Sequence, residues 1–77
     1  MPLVRISMKT GRTPEQQRVI GNAVYDAMHE TLDVPENDRF QVITEHAGEG
    51  LIYDPNFFNI ERTDGILFIQ VLLRKDA

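Results

Sequence analysis

Thr13-Pro14-Glu15-Gln16, running on through Val19-Ile20, Ala23-Val24, Ala27-Met28 and Leu32, is the stretch that decides the fold. Thr13 is a residue that caps helices, Pro14 suits the first helical position, and Gln16 sits where a capping box needs it. The apolar residues that follow recur at helical spacing and predict one amphipathic helix of about five turns. Val34-Pro35 ends it, because the residue before a proline avoids helical backbone geometry.

Outward from this helix the period changes. Leu3 to Met8 alternates, with Val4, Ile6 and Met8 on an apolar side and Leu3, Arg5 and Ser7 on a mixed one, which predicts a strand. Lys9-Thr10-Gly11-Arg12 turns the chain into the helix. Phe40 to Glu45 alternates again, with Phe40, Val42 and Thr44 opposed to Gln41, Ile43 and Glu45. Strand, helix, strand is a βαβ unit, whose strands are expected to run parallel. His46 to Gly50 is a loop, Leu51-Ile52-Tyr53 a short apolar piece, and Asp54-Pro55-Asn56 and Asp64-Gly65 are turns. Ile66 to Leu73 is apolar apart from Gln70 and predicts a strand covered on both faces. It runs into Arg74-Lys75 much as the first strand runs into Lys9, so it reads as the opening of a second βαβ unit. Either another chain supplies the remainder or the chain is a shortened form of a two-unit protein.

The chain has 77 residues, 42% of them hydrophobic, and no cysteine. One domain, residues 1–77, is all this length holds, and a chain so short buries only about 60% of its unfolded surface. With no disulfide or zinc cluster to compensate, assembly with other subunits is the expected source of stability. The net charge of −4 argues against a general affinity for nucleic acid. No apolar run reaches membrane-spanning length and no secretory leader appears, so a cytoplasmic location is expected.

The residue after the initiator Met is Pro2. Aminopeptidases remove Met1 readily before proline, and the mature chain then starts with a secondary amine on a core strand. Desolvation lowers the pKa of such an amine, and a neutral amine at pH 7 is a general base. Retention of Met1 would make the same nitrogen an amide. Met-Pro openings are common, and Pro2 alone decides nothing.

The surrounding order of residues narrows the reading. The opening Pro2-Leu3-Val4-Arg5-Ile6, then Gly11-Arg12-Thr13-Pro14-Glu15-Gln16 after one strand, resembles the tautomerase superfamily of 4-oxalocrotonate tautomerases and malonate semialdehyde decarboxylases. Val34-Pro35-Glu36-Asn37-Asp38-Arg39-Phe40-Gln41, Glu45-His46 with Gly48-Glu49, Ile60 to Thr63 and the strand ending in Arg74 look like the decarboxylase-type branch. The resemblance implies an α/β fold: a β-α-β subunit with an extra C-terminal strand, assembled into a trimer or hexamer. It implies an enzyme without cofactor or metal that moves a proton in a small 2-oxo or enol carboxylate. Pro2 would be the general base or acid and Asp38 a catalytic assistant, with Arg12 and Arg74 binding the carboxylate. Each has a plainer alternative: Arg12 and Asp38 as turn residues, Arg74 as a charged strand end.

Two departures stand out. The decarboxylase branch carries a second arginine where this chain has Asp76. The 4-oxalocrotonate tautomerases carry an arginine where this chain has Phe40, with Arg39 beside it facing the other way on a regular strand. Phe40, Phe57 and Phe58 read as pocket walls or as core. His46 and Glu49 fit no compact metal signature, and His29 lies beside the helix stripe as a surface residue. The resemblance also leaves open a decarboxylase or hydratase acting on a 3-oxo acid. A non-catalytic or partner-dependent subunit paired with a second short chain is a third possibility.

Overall fold

The computed structural model describes residues 2–59 and 61–73. Its order is β1 (Leu3–Lys9), α1 (Pro14–Leu32), β2 (Phe40–His46), two single 3-10 turns at Gly48–Gly50 and Phe57–Asn59, and β3 (Leu67–Leu72). β1 is the central strand of a three-stranded sheet ordered β2-β1-β3. It pairs parallel with β2, from Leu3↔Phe40 to Lys9↔His46, as a βαβ unit requires. It pairs antiparallel with β3, from Leu3↔Leu72 to Met8↔Leu67.

Local chemistry sets both ends of α1. Thr13 is extended, its hydroxyl accepts from the Gln16 N–H at 3.1 Å, and its own N–H donates to Gln16 Oε1 at 2.9 Å. Both bonds satisfy donors that a helix start leaves orphaned. Thr13→Ala removes this cap and is expected to lower stability by about 1 kcal/mol, read from urea unfolding at constant slope. At the other end the helix stops at Leu32 and Asp33 turns left-handed, at φ 54°. His29 Nδ1 then donates to the Val34 carbonyl at 2.6 Å, and the Tyr25 hydroxyl to the Pro35 carbonyl at 3.1 Å. These two bonds tie the exit segment back onto the helix just ahead of β2. His29 is exposed but not idle.

The alternation in β1 is reproduced in burial. Val4, Ile6 and Met8 form the core with Met28 and Val34, and Ile20, Val24, Tyr25, Ile43 and Leu67 pack around them. The helix stripe is narrower than the sequence spacing suggests: Val19 and Leu32 are exposed, whereas Gly21 is buried.

β3 departs from expectation. Predicted to be covered on both faces, it is instead an exposed edge, with Phe68, Ile69, Val71 and Leu72 all open and Ile69 49% exposed. The reason is geometric. A helix about 10 Å across spans roughly two strand spacings of 4.8 Å, and α1 spends that width on β1 and β2. On the opposite sheet face Phe40, Val42, Phe68 and Leu72 are also exposed. Apolar surfaces this continuous mark contact sites.

Candidate functional site

Parallel pairing places the starts of β1 and β2 at the same end of the sheet. That is why Pro2 and Asp38, distant in sequence, line one small cavity together with Tyr25, Met28, Arg39 and Phe40. Pro2 is buried and Asp38 half-buried. The cavity holds about 10 Å³, room for about one water molecule. The cavity is therefore too small to admit an organic acid.

A polar lattice braces the same end of the fold. Arg39 Nε and one terminal nitrogen donate to Gln41 Oε1 at 3.1 and 2.9 Å, and its other terminal nitrogen donates to Asn22 Oδ1 at 2.8 Å. Gln41 in turn donates to the Gly21 carbonyl at 2.9 Å. The guanidinium lies over the Tyr25 ring, 5.4 Å from its centroid, and Tyr25 stacks on His29. Arg39 and Gln41 point to the helix side, as alternation from Phe40 predicts. The part played by Tyr25, Asn22 and Gln41 is not apparent from residue types. A glycine in mid-helix, four residues before Tyr25, was the available signal.

Arg12 lies elsewhere. It follows the far end of β1, roughly 20 Å from Pro2 at the usual strand rise, and its guanidinium donates to the Gly65 carbonyl at 2.8 Å. Within one chain, Arg12 and Pro2 are not brought together. Arg74 falls outside the described residues, as do Met1 and Ile60. Phe40 does wall the Pro2 cavity, but Phe57 and Phe58 are neither core nor part of it. They pack on each other at 4.3 Å, and Phe58, 79% exposed, adopts φ 56°.

Away from Pro2, the Thr44 hydroxyl bridges Ser7 Oγ at 3.3 Å and His46 Nε2 at 3.1 Å on the open sheet face. Arg5, Ser7, Thr44, His46 and Phe68 line a broad depression there. In the loop before β3, Tyr53 donates to Asp64 Oδ1 at 2.8 Å. That bond, with slight desolvation and the carboxylate charge, raises the Tyr53 pKa above its ordinary 10.0. A raised pKa means a stabilising proton, whose contribution is present below pH 10 and lost as pH climbs through the folded-state value. Asp64→Asn is expected to bring the Tyr53 phenolate transition back towards 10.0, followed by ultraviolet absorbance.

The model of the tautomerase enzyme family matches residues 2–59, from Pro2 through both strands of the βαβ unit. The chain belongs to the tautomerase family. It is similar to the probable tautomerase YusQ of Bacillus subtilis (strain 168), 33% identical over 75 residues that cover 97% of this chain and 59% of that protein. It is also similar to the probable tautomerase YrdN of the same organism, 27% identical over 71 residues covering 92% and 55% respectively. Among solved structures it resembles the FG41 malonate semialdehyde decarboxylase inhibited by 3-bromopropiolate. The TM-score is 0.78 with 36% identity, over 87% of this chain and 51% of that one. The tautomerase-family chain thus spans somewhat more than half the length of these curated relatives, and its β-α-β fold with a third strand is that of the superfamily.

Proposed function

We propose that this tautomerase-family chain catalyses cofactor-free proton transfer in a small 2-oxo or enol carboxylate, with the Pro2 amine as the proton carrier. The observation that carries the reading is the burial of Pro2 at the head of the central strand, where it lines one small cavity with Asp38. Burial disfavours the charged amine and poises it as a base near neutral pH. The amine takes a proton from one end of the keto–enol unit and returns one at the other. No electrons are gained or lost, and the protonation state of the amine is restored each cycle. Asp38 assists by orienting the amine or a water. Arg74 and Arg12 supply carboxylate binding, and since Arg12 is far from the Pro2 of its own chain, its part requires a neighbouring subunit. A trimer or hexamer fits the exposed apolar faces of the sheet. Residues 1–77 act as one domain.

A second reading is decarboxylation or hydration of a 3-oxo acid, favoured by the likeness to the FG41 decarboxylase and by Asp38 beside Pro2. There the amine works as a cation, and a nearby carboxylate keeps it protonated. The exposed β3 also favours a chain that gains activity only with a partner, which native mass distinguishes.

The test follows ketonisation of phenylenolpyruvate by ultraviolet absorbance, using protein whose mass shows that Met1 has been removed. Turnover with an amine pKa near neutrality supports the tautomerase. Absence of turnover with an amine pKa well above neutrality favours the decarboxylase.

A further inference from the structure

We propose that the sheet face turned away from α1 carries a binding site for a small oxyanion, a phosphate group or a carboxylate, between Arg5 and Ser7. Alternation along β1 sets the direction: Val4, Ile6 and Met8 point into the core, so Arg5 and Ser7 point the other way. Register then sets Arg5 between Val42 and Gln70, and Ser7 between Thr44 and Phe68. With His46 these residues line a depression of about 540 Å³, against about 10 Å³ for the cavity at Pro2. This depression has room for an anion, and the Pro2 cavity has none.

The polar groups left over on this face are donors. Arg5 is exposed, and among the described residues its guanidinium makes no hydrogen bond or ion pair. Thr44 donates its one hydroxyl proton to Ser7 Oγ at 3.3 Å. In the 3.1 Å contact between Thr44 and His46, Nε2 is therefore the donor. The bonds run from His46 to Thr44 to Ser7 and end on the Ser7 hydroxyl, whose own proton is unspent. The Arg5 N–H groups and the Ser7 O–H are thus free to donate. An oxyanion accepts from both, and a guanidinium meets its oxygens as a planar fork.

The distribution of charge points the same way. The chain has 12 Asp and Glu residues against 8 Lys and Arg, a net charge of −4. Yet the three strands hold one acidic residue, Glu45. It faces α1, where Gln17 donates to it at 2.9 Å. The strands therefore place Arg5 and Lys9 on the open face with no acidic side chain beside them. Covering this face with another subunit would sharpen the need for an anion, because a buried guanidinium without a counter-charge is costly.

The experiment titrates the wild-type chain with inorganic phosphate, with acetate, and with sodium chloride at matched ionic strength. The Arg5 Nε–H and the Ser7 and Thr44 amides are followed by NMR, so the result does not depend on turnover. Phosphate or acetate is expected to shift these resonances saturably, with a Kd of about 0.1–10 mM, while chloride leaves them near their starting positions. Tighter saturation by phosphate identifies a phosphate group as the ligand class, and tighter saturation by acetate identifies a carboxylate; either supports the site. Arg5→Gln is expected to weaken binding about 10–100-fold and Ser7→Ala about 2–10-fold. Arg5→Lys, which keeps the charge and loses the fork, should recover part of the affinity. Lack of saturation by either anion overturns the proposal, and so do shifts that chloride reproduces or an affinity that Arg5→Gln leaves unchanged. Should Arg5→Gln fail to fold, unchanged affinity in Ser7→Ala overturns it by itself.

Discussion

Pro2→Ala is expected to slow ketonisation of phenylenolpyruvate by roughly 10²–10⁴-fold, the usual contribution of a positioned general acid or base. The substitution keeps an N-terminal amine, so its effect comes from what the proline ring supplies. The ring makes the amine secondary, ties the nitrogen to the Cα so that it cannot rotate, and lines the small cavity with Val4 and Met28. Alanine leaves a primary amine free to rotate in a wetter site. The fold should survive, because the ring sits at the end of β1 and not at its centre. Circular dichroism and the unfolding midpoint check this. The pH profile carries separate information. A base whose pKa is lowered by burial gives activity that rises with pH through that pKa, whereas a cationic acid loses activity as pH rises through a high one. Undiminished turnover in a folded Pro2→Ala protein would remove the proline ring from the mechanism, and retained activity in protein whose N-terminal amine is acetylated would remove the amine itself.

Ile6→Ala should have the largest effect on stability, about 2–5 kcal/mol. Ile6 is 0% exposed, centred in β1, and paired with Ile43 on one side and Ile69 on the other. Truncation leaves a cavity between α1 and the sheet that the parallel and antiparallel ladders on either side hold open. A domain of this size has only about 4–12 kcal/mol in total, so the loss is a large share of it. The urea midpoint should fall with the slope unchanged. Ile69→Ala is the informative companion. In a single chain its half-exposed side chain should matter by less than about 1 kcal/mol. If it costs as much as Ile6→Ala, the outer face of β3 is buried in an assembly. If both substitutions are mild, the core assignment around Ile6 is wrong.

Most of the βαβ unit was legible because its signals are local. The Thr13 cap, the Pro14 start and the alternation of Val4, Ile6 and Met8 each depend on neighbours a few residues away. The exposure of β3 was not legible. A run such as Leu67-Phe68-Ile69 reads the same whether helices cover it or not, and cover depends on how far one helix reaches across the sheet.

The candidate site divides along the same line. Pro2 and Asp38 were singled out by residue type and by resemblance, but only parallel register brings the heads of β1 and β2 together. Arg12 was chosen on the same grounds, and the same geometry carries it to the opposite end of β1. Arg39 was seen in sequence as a neighbour of Phe40 facing the other way. That Gln41, Asn22 and Tyr25 immobilise it could not be read, because those contacts cross from helix to strand. The chain's own sequence therefore determined its elements and the core side of β1, since capping and periodicity act over a turn or a strand. Tertiary structure alone decided which charged groups line the Pro2 cavity, because strand register and the width of one helix set distances that no local pattern encodes.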